Sequence, residues 1–271
     1  MIWLVILKDQ HRFTSLTESA VPVLGGIREW FESDLGQYVL QTESAMLDQL
    51  LPAHFGYNLA QFSVQSRSLY ASSQVQNKFA VSLDESLEGA LMARPAELPL
   101  ISDCLDVAIV HHLLDFTESP QDILREIARV TLPMGHIVLV GFNPLSFWGA
   151  WKLMAKFKGR APWNGSFIRP GRLMDWLNLL NFKIDRAQYA IYRPPVARYS
   201  GRVGDYSRGV SRDVNLPTGA IYVIVAQKHV GAIRPQKPVW KPAPAFGRLS
   251  VVQTVRHKGV TSQSHTRQED L

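Results

Sequence analysis

Cysteine is almost absent from this sequence, since Cys104 is the only one. A single thiol cannot form a disulfide within the chain, and it excludes a cysteine-based metal site. The Gly-x-Ser-x-Gly elbow of serine hydrolases is also missing, and we find no internal repeat. These absences predict a protein of the reducing cytoplasm and argue against serine hydrolase chemistry.

Long apolar runs are missing too. Residues 1–7 are apolar, but Lys8 and Asp9 interrupt them at once, and the run is too short to span a bilayer. No basic leader precedes it and no small-residue cleavage site follows soon after. We therefore interpret residues 1–26 as an N-terminal extension.

Positive charge is concentrated at the end of the chain. The net charge is +6, and residues 231–271 hold seven Lys or Arg against Glu269 and Asp270. This proline-rich, weakly apolar segment has the composition of a disordered tail. Contact of the tail with RNA or acidic lipid through simple electrostatics is an alternative. The main domain is expected over residues 27–230, and it is nearly neutral.

Apolar periodicity predicts an α/β domain. Residues 27–51 repeat apolar positions at three- and four-residue steps, which indicates one or two amphipathic helices. Short apolar runs at 59–64, 79–83 and 90–92 are typical of buried strands. A helix is predicted over 171–180, and strands over 182–192 and 220–226 are expected to form a terminal antiparallel hairpin.

The middle of the chain predicts a β-α-β unit. Residues 107–110 form a compact apolar strand, and Ser119 with Pro120 provides an N-cap and a first helical residue. Pro133 and Gly135 are expected to stop this helix. Residues 137–142 form the next strand, which such a connection places parallel to the first.

Three segments of this unit resemble a known family. They are ELPLISDCLDVAIVHH at 97–112, LREIARV at 124–130 and LPMGHIVL at 132–139. In this order they resemble the second half of class I, S-adenosylmethionine-dependent methyltransferases of the small-molecule type. The resemblance implies a three-layer Rossmann-like fold, with a mostly parallel sheet and a terminal antiparallel strand, over about residues 27–228.

The resemblance also implies a cofactor site at the carboxyl ends of the strands. S-adenosylmethionine would lie on the turn after the first strand, at Phe62 and Ser63. The family's glycine-rich string is missing there, and Ser63 stands where the first glycine is expected. Asp84 is placed to bind the ribose, although capping a short helix is an equal alternative. Ala96 and Glu97 occupy the adenine position.

Two catalytic candidates follow from the same alignment of elements. His111 closes the fourth strand beside the cofactor, where an imidazole can act as a general base; the alternative is a buried histidine bonded to a backbone carbonyl. Asn143 can bind a substrate or simply open a turn with Pro144. No other group of His, Asp and Glu has metal-ligand spacing, so we expect no metal.

An aromatic and basic insertion is predicted at residues 144–168. Within it, residues 147–167 contain four lysines or arginines and no acid. The segment is interpreted as a lid over an apolar substrate, as a peripheral membrane contact, or as a docking helix with solvated lysines.

The leading hypothesis is an S-adenosylmethionine-dependent methyltransferase that acts on a small or lipophilic molecule. Two alternatives stay open: a methyltransferase-fold protein that has lost activity and binds a partner or ligand, and an RNA methyltransferase guided by the basic tail.

Overall fold

A seven-stranded sheet organises the chain. The computed structural model describes residues 17–82, 91–93, 96–155, 160–195 and 215–229. The strands are β1 Asn58–Ser63, β2 Asn77–Ser82, β3 Leu91–Met92, β4 Leu105–His111, β5 Thr131–Phe142, β6 Phe182–Ala190 and β7 Ile221–Lys228.

The sheet order is β3-β2-β1-β4-β5-β7-β6. Strands β1 to β5 pair in parallel, and β7 runs antiparallel to both of its neighbours. This arrangement confirms the predicted α/β fold class, including the mostly parallel sheet and the antiparallel hairpin at its end. The central strands β1, β4 and β7 are buried over most of their length, and β5 is buried from Ile137 to its end.

Five helices accompany the sheet in the described ranges: α1 Thr17–Glu32, α2 Asp34–Leu50, α3 Pro120–Val130, α4 Phe147–Ala155 and α5 Pro170–Leu179. The right-handed crossover rule places α3 and α5 on the same face, because each connects parallel strands in the same direction along the sheet. None of these helices combines the length and the apolarity that crossing a bilayer requires.

The first helical region is divided in two. Ser33 separates α1 from α2, and its hydroxyl accepts a hydrogen bond from the Gly36 amide, which caps α2. Helix α1 begins at Thr17, inside the segment interpreted as an extension. The basic tail, residues 231–271, lies outside the described residues.

Helix α3 begins as expected but ends differently. Pro120 occupies the first turn, while the Ser119 side chain makes no capping bond. The helix ends at Val130, where the Thr131 hydroxyl and backbone amide both bond to Ile127 O. Pro133 and Gly135 lie in β5, so the prediction that they stop the helix is wrong. The α3 face that packs on the sheet consists of Ile123, Leu124, Ile127, Ala128 and Val130.

The connection from β1 to β2 contains no helix. Crossovers between parallel strands usually carry one, but residues 64–76 form turns and irregular chain. Two buried glutamines fasten this segment: Gln61 bonds Leu69 N and Arg67 O, and Gln65 bonds the Arg67 amide and carbonyl. As a result, no helix N-terminus follows β1, and the anion-binding position that such a terminus normally provides is missing.

Candidate functional site

The candidate site lies where β1 and β4 end. These strands are parallel neighbours, and Ser63 at the end of β1 is in register with His111 at the end of β4. The chain leaves β1 towards β2 and leaves β4 towards β5, in opposite directions along the sheet. Ligands of open α/β sheets bind at such a reversal of strand order.

A buried carboxylate occupies this position. Glu43 of α2 places Oε2 at 2.9 Å from His111 Nε2 and Oε1 at 2.7 Å from His112 Nε2. The side chains of all three residues are fully buried. We call these three residues the Glu43 cluster. It joins α2 to the end of β4, and one carboxylate holds two imidazoles.

The second nitrogen of each imidazole also has a partner. His111 Nδ1 lies 2.9 Å from Ser63 Oγ, and His112 Nδ1 lies 3.0 Å from Asp115 Oδ2. The Asp115 oxygen in turn accepts the Phe142 amide at 3.0 Å. Both rings are therefore held from two sides, and their orientation is fixed by β1, β5 and the turn after β4.

Backbone geometry explains how adjacent histidines reach one carboxylate. Successive side chains of a strand point to opposite faces, so a regular strand would separate the two rings. His112 instead adopts the left-handed conformation, with φ 52° and ψ 3°, which is uncommon for a residue other than glycine. This turn of the backbone brings both Nε2 atoms to Glu43.

Burial and mutual contacts shift the pKa values of the three residues in the Glu43 cluster. Burial opposes ionisation of Glu43, but the charges of His112 and His111 and their hydrogen bonds hold its pKa at about 2. Burial likewise opposes protonation of His112, and Glu43 with Asp115 overcomes it and raises the pKa of His112 to about 9. Burial lowers the pKa of His111. At neutral pH this network holds a Glu43 carboxylate, a His112 imidazolium and a neutral His111.

Aromatic rings enclose the Glu43 cluster. The Phe31 ring lies 5.6 Å from both imidazole centroids, and the Phe142 ring lies 4.1 Å from that of His112. Such a surrounding has a low effective dielectric, which strengthens each hydrogen bond to a charged group. His111 itself is fully buried, and both of its ring nitrogens are hydrogen-bonded. A general-base role for His111 stays a prediction, and it would need one of these bonds to open.

The other predicted site residues are dispersed. Phe62 is buried in the core, and Ser63 is part of the hydrogen-bonded network beside it. Ala96 and Glu97 are exposed, and Asp84 lies outside the described residues. Their roles in cofactor binding stay predictions.

Asn143 is fully buried and uses its side chain within the protein. Its amide nitrogen donates to Pro217 O and Gly219 O, and its Oδ1 accepts the Leu145 amide. These bonds fix the turn after β5, which is the alternative considered from the Asn-Pro pair. A contact with substrate stays a prediction, and the present bonds leave the side-chain amide no free proton for it.

Sequence reasoning missed Glu43 and Asp115. A signal for Glu43 exists: it lies in the apolar stripe of α2 that also contains Val39, Leu40, Met46 and Leu47. An acid in the centre of a buried helical stripe requires a partner. The partner itself, 68 residues further along the chain, cannot be identified from spacing.

Comparisons with known proteins agree with this architecture. The family model described as a methyltransferase domain matches residues 50–139, from the end of α2 into β5. The fold resembles that of a SAM-dependent methyltransferase from Thermotoga maritima, with TM-score 0.55 and 20% identity over 74% of this chain and 93% of that one. It also resembles a chain from the Haloferax volcanii complex of the Trm112 methyltransferase activator with a methyltransferase, with TM-score 0.51 and 10% identity over 76% and 98%.

One curated relative is closer in sequence. The Escherichia coli protein YafS, itself named as uncharacterized, is 32% identical over 139 residues, which are 51% of this chain and 54% of YafS. The chain thus matches about half the length of that relative. The sheet order defines a class I methyltransferase fold. The domain match covers residues 50–139, about a third of the chain, and shows that this part of the sequence is similar to a methyltransferase domain.

The methyltransferase-domain match and the fold imply S-adenosylmethionine as the cofactor. The turn after β1 does not fit the usual approach to it. Ser63, Val64 and Gln65 are buried, and the Ser63 hydroxyl accepts the Gln65 amide while contacting His111. A glycine turn would leave its backbone open to the methionine part of the cofactor. Cofactor binding by this chain therefore cannot use a glycine turn.

Proposed function

We propose that this protein is an S-adenosylmethionine-dependent methyltransferase that transfers a methyl group to a small, lipophilic molecule. The observation that carries the proposal is an apolar surface that follows the end of β5. Phe147, Leu153 and Met154 of α4 are 65%, 74% and 72% exposed. Phe147 and Met154 are seven positions apart and therefore share one face of the helix. Large exposed apolar side chains on one helix are typical of sites that bind apolar ligands or lipid.

The position of α4 supports the same proposal. Helix α4 begins five residues after the end of β5, at the edge of the sheet where ligands of this fold class bind. Buried Trp148 anchors it, since the indole N–H donates to Arg193 O at 2.9 Å and the ring lies 5.7 Å from that of Trp163. The exposed side chains are thus held on a fixed helix, as a substrate-binding surface requires.

Helix α4 also carries a cationic side chain. Lys152 bonds Gly165 O and lies 4.2 Å from the centre of the Phe167 ring. The sequence adds Lys156, Lys158 and Arg160 directly after α4. An exposed apolar helix followed by cations suits a peripheral contact with an anionic lipid surface, from which a lipophilic substrate could be taken up. Cys104, the single cysteine, accords with the reducing cytoplasm as the compartment.

The experiment follows a labelled methyl group. The purified full chain is incubated with methyl-labelled S-adenosylmethionine and, separately, with a chloroform–methanol extract of cells, total RNA and total protein. We expect label in the solvent extract, and replacing Phe147 with Ala is expected to reduce it at least about tenfold, the effect of about 1.4 kcal/mol of lost binding. Arg172→Ala, on α5, serves as the control. Label in RNA alone would contradict the lipophilic substrate and favour the tail-guided alternative.

A second candidate function is a methyltransferase-fold binding protein without activity. The closed turn after β1, with Ser63 bonded to His111, favours it, because that turn normally receives the cofactor. Failure of the protein to bind S-adenosylhomocysteine, combined with absence of label in every fraction, would support this candidate over the enzyme.

A further inference from the structure

We propose that Glu43, His111 and His112 form a binding site for one divalent transition-metal ion of the Zn²⁺ type. One ligand atom from each of the three residues can be chosen so that all lie within 4.8 Å of one another, and all three residues are buried. Two imidazoles and one carboxylate are a ligand set that proteins use for zinc. The site goes beyond the methyltransferase function and does not depend on it.

The partners of the imidazoles are those of a metal site. A histidine that binds a metal through one ring nitrogen almost always donates the other N–H to a carboxylate, a carbonyl or water. His112 Nδ1 meets the Asp115 carboxylate at 3.0 Å, and the Phe142 amide fixes that carboxylate. His111 Nδ1 meets the Ser63 hydroxyl at 2.9 Å. Both Nε2 atoms are thereby directed to the same place.

The distances leave room for an ion after a small movement. The Glu43 oxygens lie 2.9 and 2.7 Å from the two Nε2 atoms. In zinc sites the metal lies about 2.0–2.2 Å from each nitrogen or oxygen ligand. Two ligand atoms of one zinc ion are therefore slightly farther from each other than the hydrogen-bonded oxygen and nitrogen atoms of Glu43 and the two histidines. A rotation of the Glu43 carboxylate and a shift of a few tenths of an ångström would admit the ion in place of the ring protons.

Charge balance supports the same conclusion. Glu43 and Asp115 bring two carboxylates into a fully buried place, and among the described residues their ion-pair partners are only His111 and His112. A divalent ion with two neutral imidazoles balances the two charges, which is what burial of carboxylates requires. The second Asp115 oxygen, Oδ1, is buried with no hydrogen-bond partner in the described part of the chain, a position that a nearby cation stabilises.

The ligand types select the metal. Imidazole nitrogen favours zinc and its transition-metal neighbours, whereas Mg²⁺ prefers oxygen ligands and retains its water. The three ligand side chains are fully buried, which disfavours the several waters that Mg²⁺ keeps, whereas a zinc ion with three protein ligands needs only one further ligand. The ion would join α2 to the end of β4.

The experiment measures metal directly in the full chain. Metal content is determined on the protein as purified, and again after removal with a chelator and titration with Zn²⁺ in competition with a chromophoric chelator. We expect one equivalent of Zn²⁺ per chain and no competition from Mg²⁺. Co²⁺ is used as a spectroscopic substitute and should give visible bands of nitrogen and oxygen coordination.

Matched variants make the result specific. Glu43→Gln and His112→Gln should abolish stoichiometric binding. Ser63→Ala, which removes only a hydrogen-bond partner of His111, should reduce the affinity for Zn²⁺ about 10- to 100-fold while the fold is retained. The control is the double variant His54→Gln with His136→Gln, which removes another histidine pair whose ring centroids are 4.3 Å apart, and it should bind Zn²⁺ like the parent.

Three results would overturn the proposal: no stoichiometric Zn²⁺ binding by the folded parent, equal affinities in the parent and Ser63→Ala, or Mg²⁺ displacing Zn²⁺. None of these readouts depends on methyl transfer. A failure of the metal site is therefore distinguishable from a failure of the proposed enzymatic function.

Discussion

Replacing Glu43 with Leu is expected to lower the free energy of unfolding by about 3–5 kcal/mol, the usual loss when one partner of a buried ion pair is removed. The substitution leaves His111 Nε2 and His112 Nε2 buried without their acceptor. Leucine has a similar size, so the loss reflects electrostatics and hydrogen bonding more than a cavity. The measurement is urea unfolding in the presence of a chelator, so that binding of an ion does not contribute.

The control is the same substitution on the exposed side of the same helix. Asp48 of α2 is exposed, and Asp48→Leu should change the free energy of unfolding by no more than about 0.5 kcal/mol. Equal effects of the two substitutions would contradict the view that Glu43 fastens α2 to the sheet.

A second large effect is expected at Trp148. This side chain is the largest fully buried one in the described part of the chain, and it stacks at 6.1 Å from Phe142. Trp148→Ala should lower the free energy of unfolding by about 3–5 kcal/mol, because a large cavity forms and the indole N–H bond to Arg193 O is lost. Thermal and urea unfolding measure this effect.

The neighbouring Phe147 separates stability from binding. Because its ring is mostly exposed, Phe147→Ala should change the free energy of unfolding by no more than about 0.5 kcal/mol, although it is expected to reduce methyl transfer. If Phe147→Ala destabilised the protein as much as Trp148→Ala, the Phe147 side chain would be packed in the core. That result would contradict the proposal that Phe147 is part of an exposed apolar binding surface.

The fold could be predicted because its signals are local. The run at 107–110, the Ser119-Pro120 pair and the apolar face of α3 each depend on neighbouring residues, and the order of such segments determines a parallel sheet. The end of α3 was misjudged for a tertiary reason. Thr131 already pairs with Leu105 of β4, so the strand begins before Pro133 and Gly135 can influence the helix.

The site was predictable only in part. His111 was found because it ends a recognisable strand. The hydrogen-bonded network around His111 could not be predicted. It depends on Glu43 in a distant helix, on Asp115 in a short turn and on the left-handed backbone of His112. The expectation that the protein binds no metal was based on the spacing of ligand residues along the chain, which does not reveal a contact between residues as far apart as Glu43 and His111. That expectation stays a prediction, and the Zn²⁺ titration tests it.

The closed turn after β1 makes cofactor binding the central question. Its direct test is calorimetric titration of the purified full chain with S-adenosylhomocysteine, the product form of the cofactor, with ATP as a control ligand that shares adenine and ribose. We predict micromolar binding of S-adenosylhomocysteine, weaker or no binding of ATP, and a loss of affinity in Asp84→Ala. Absence of heat and of thermal stabilisation with S-adenosylhomocysteine would contradict the account and favour a binding protein built on a methyltransferase fold.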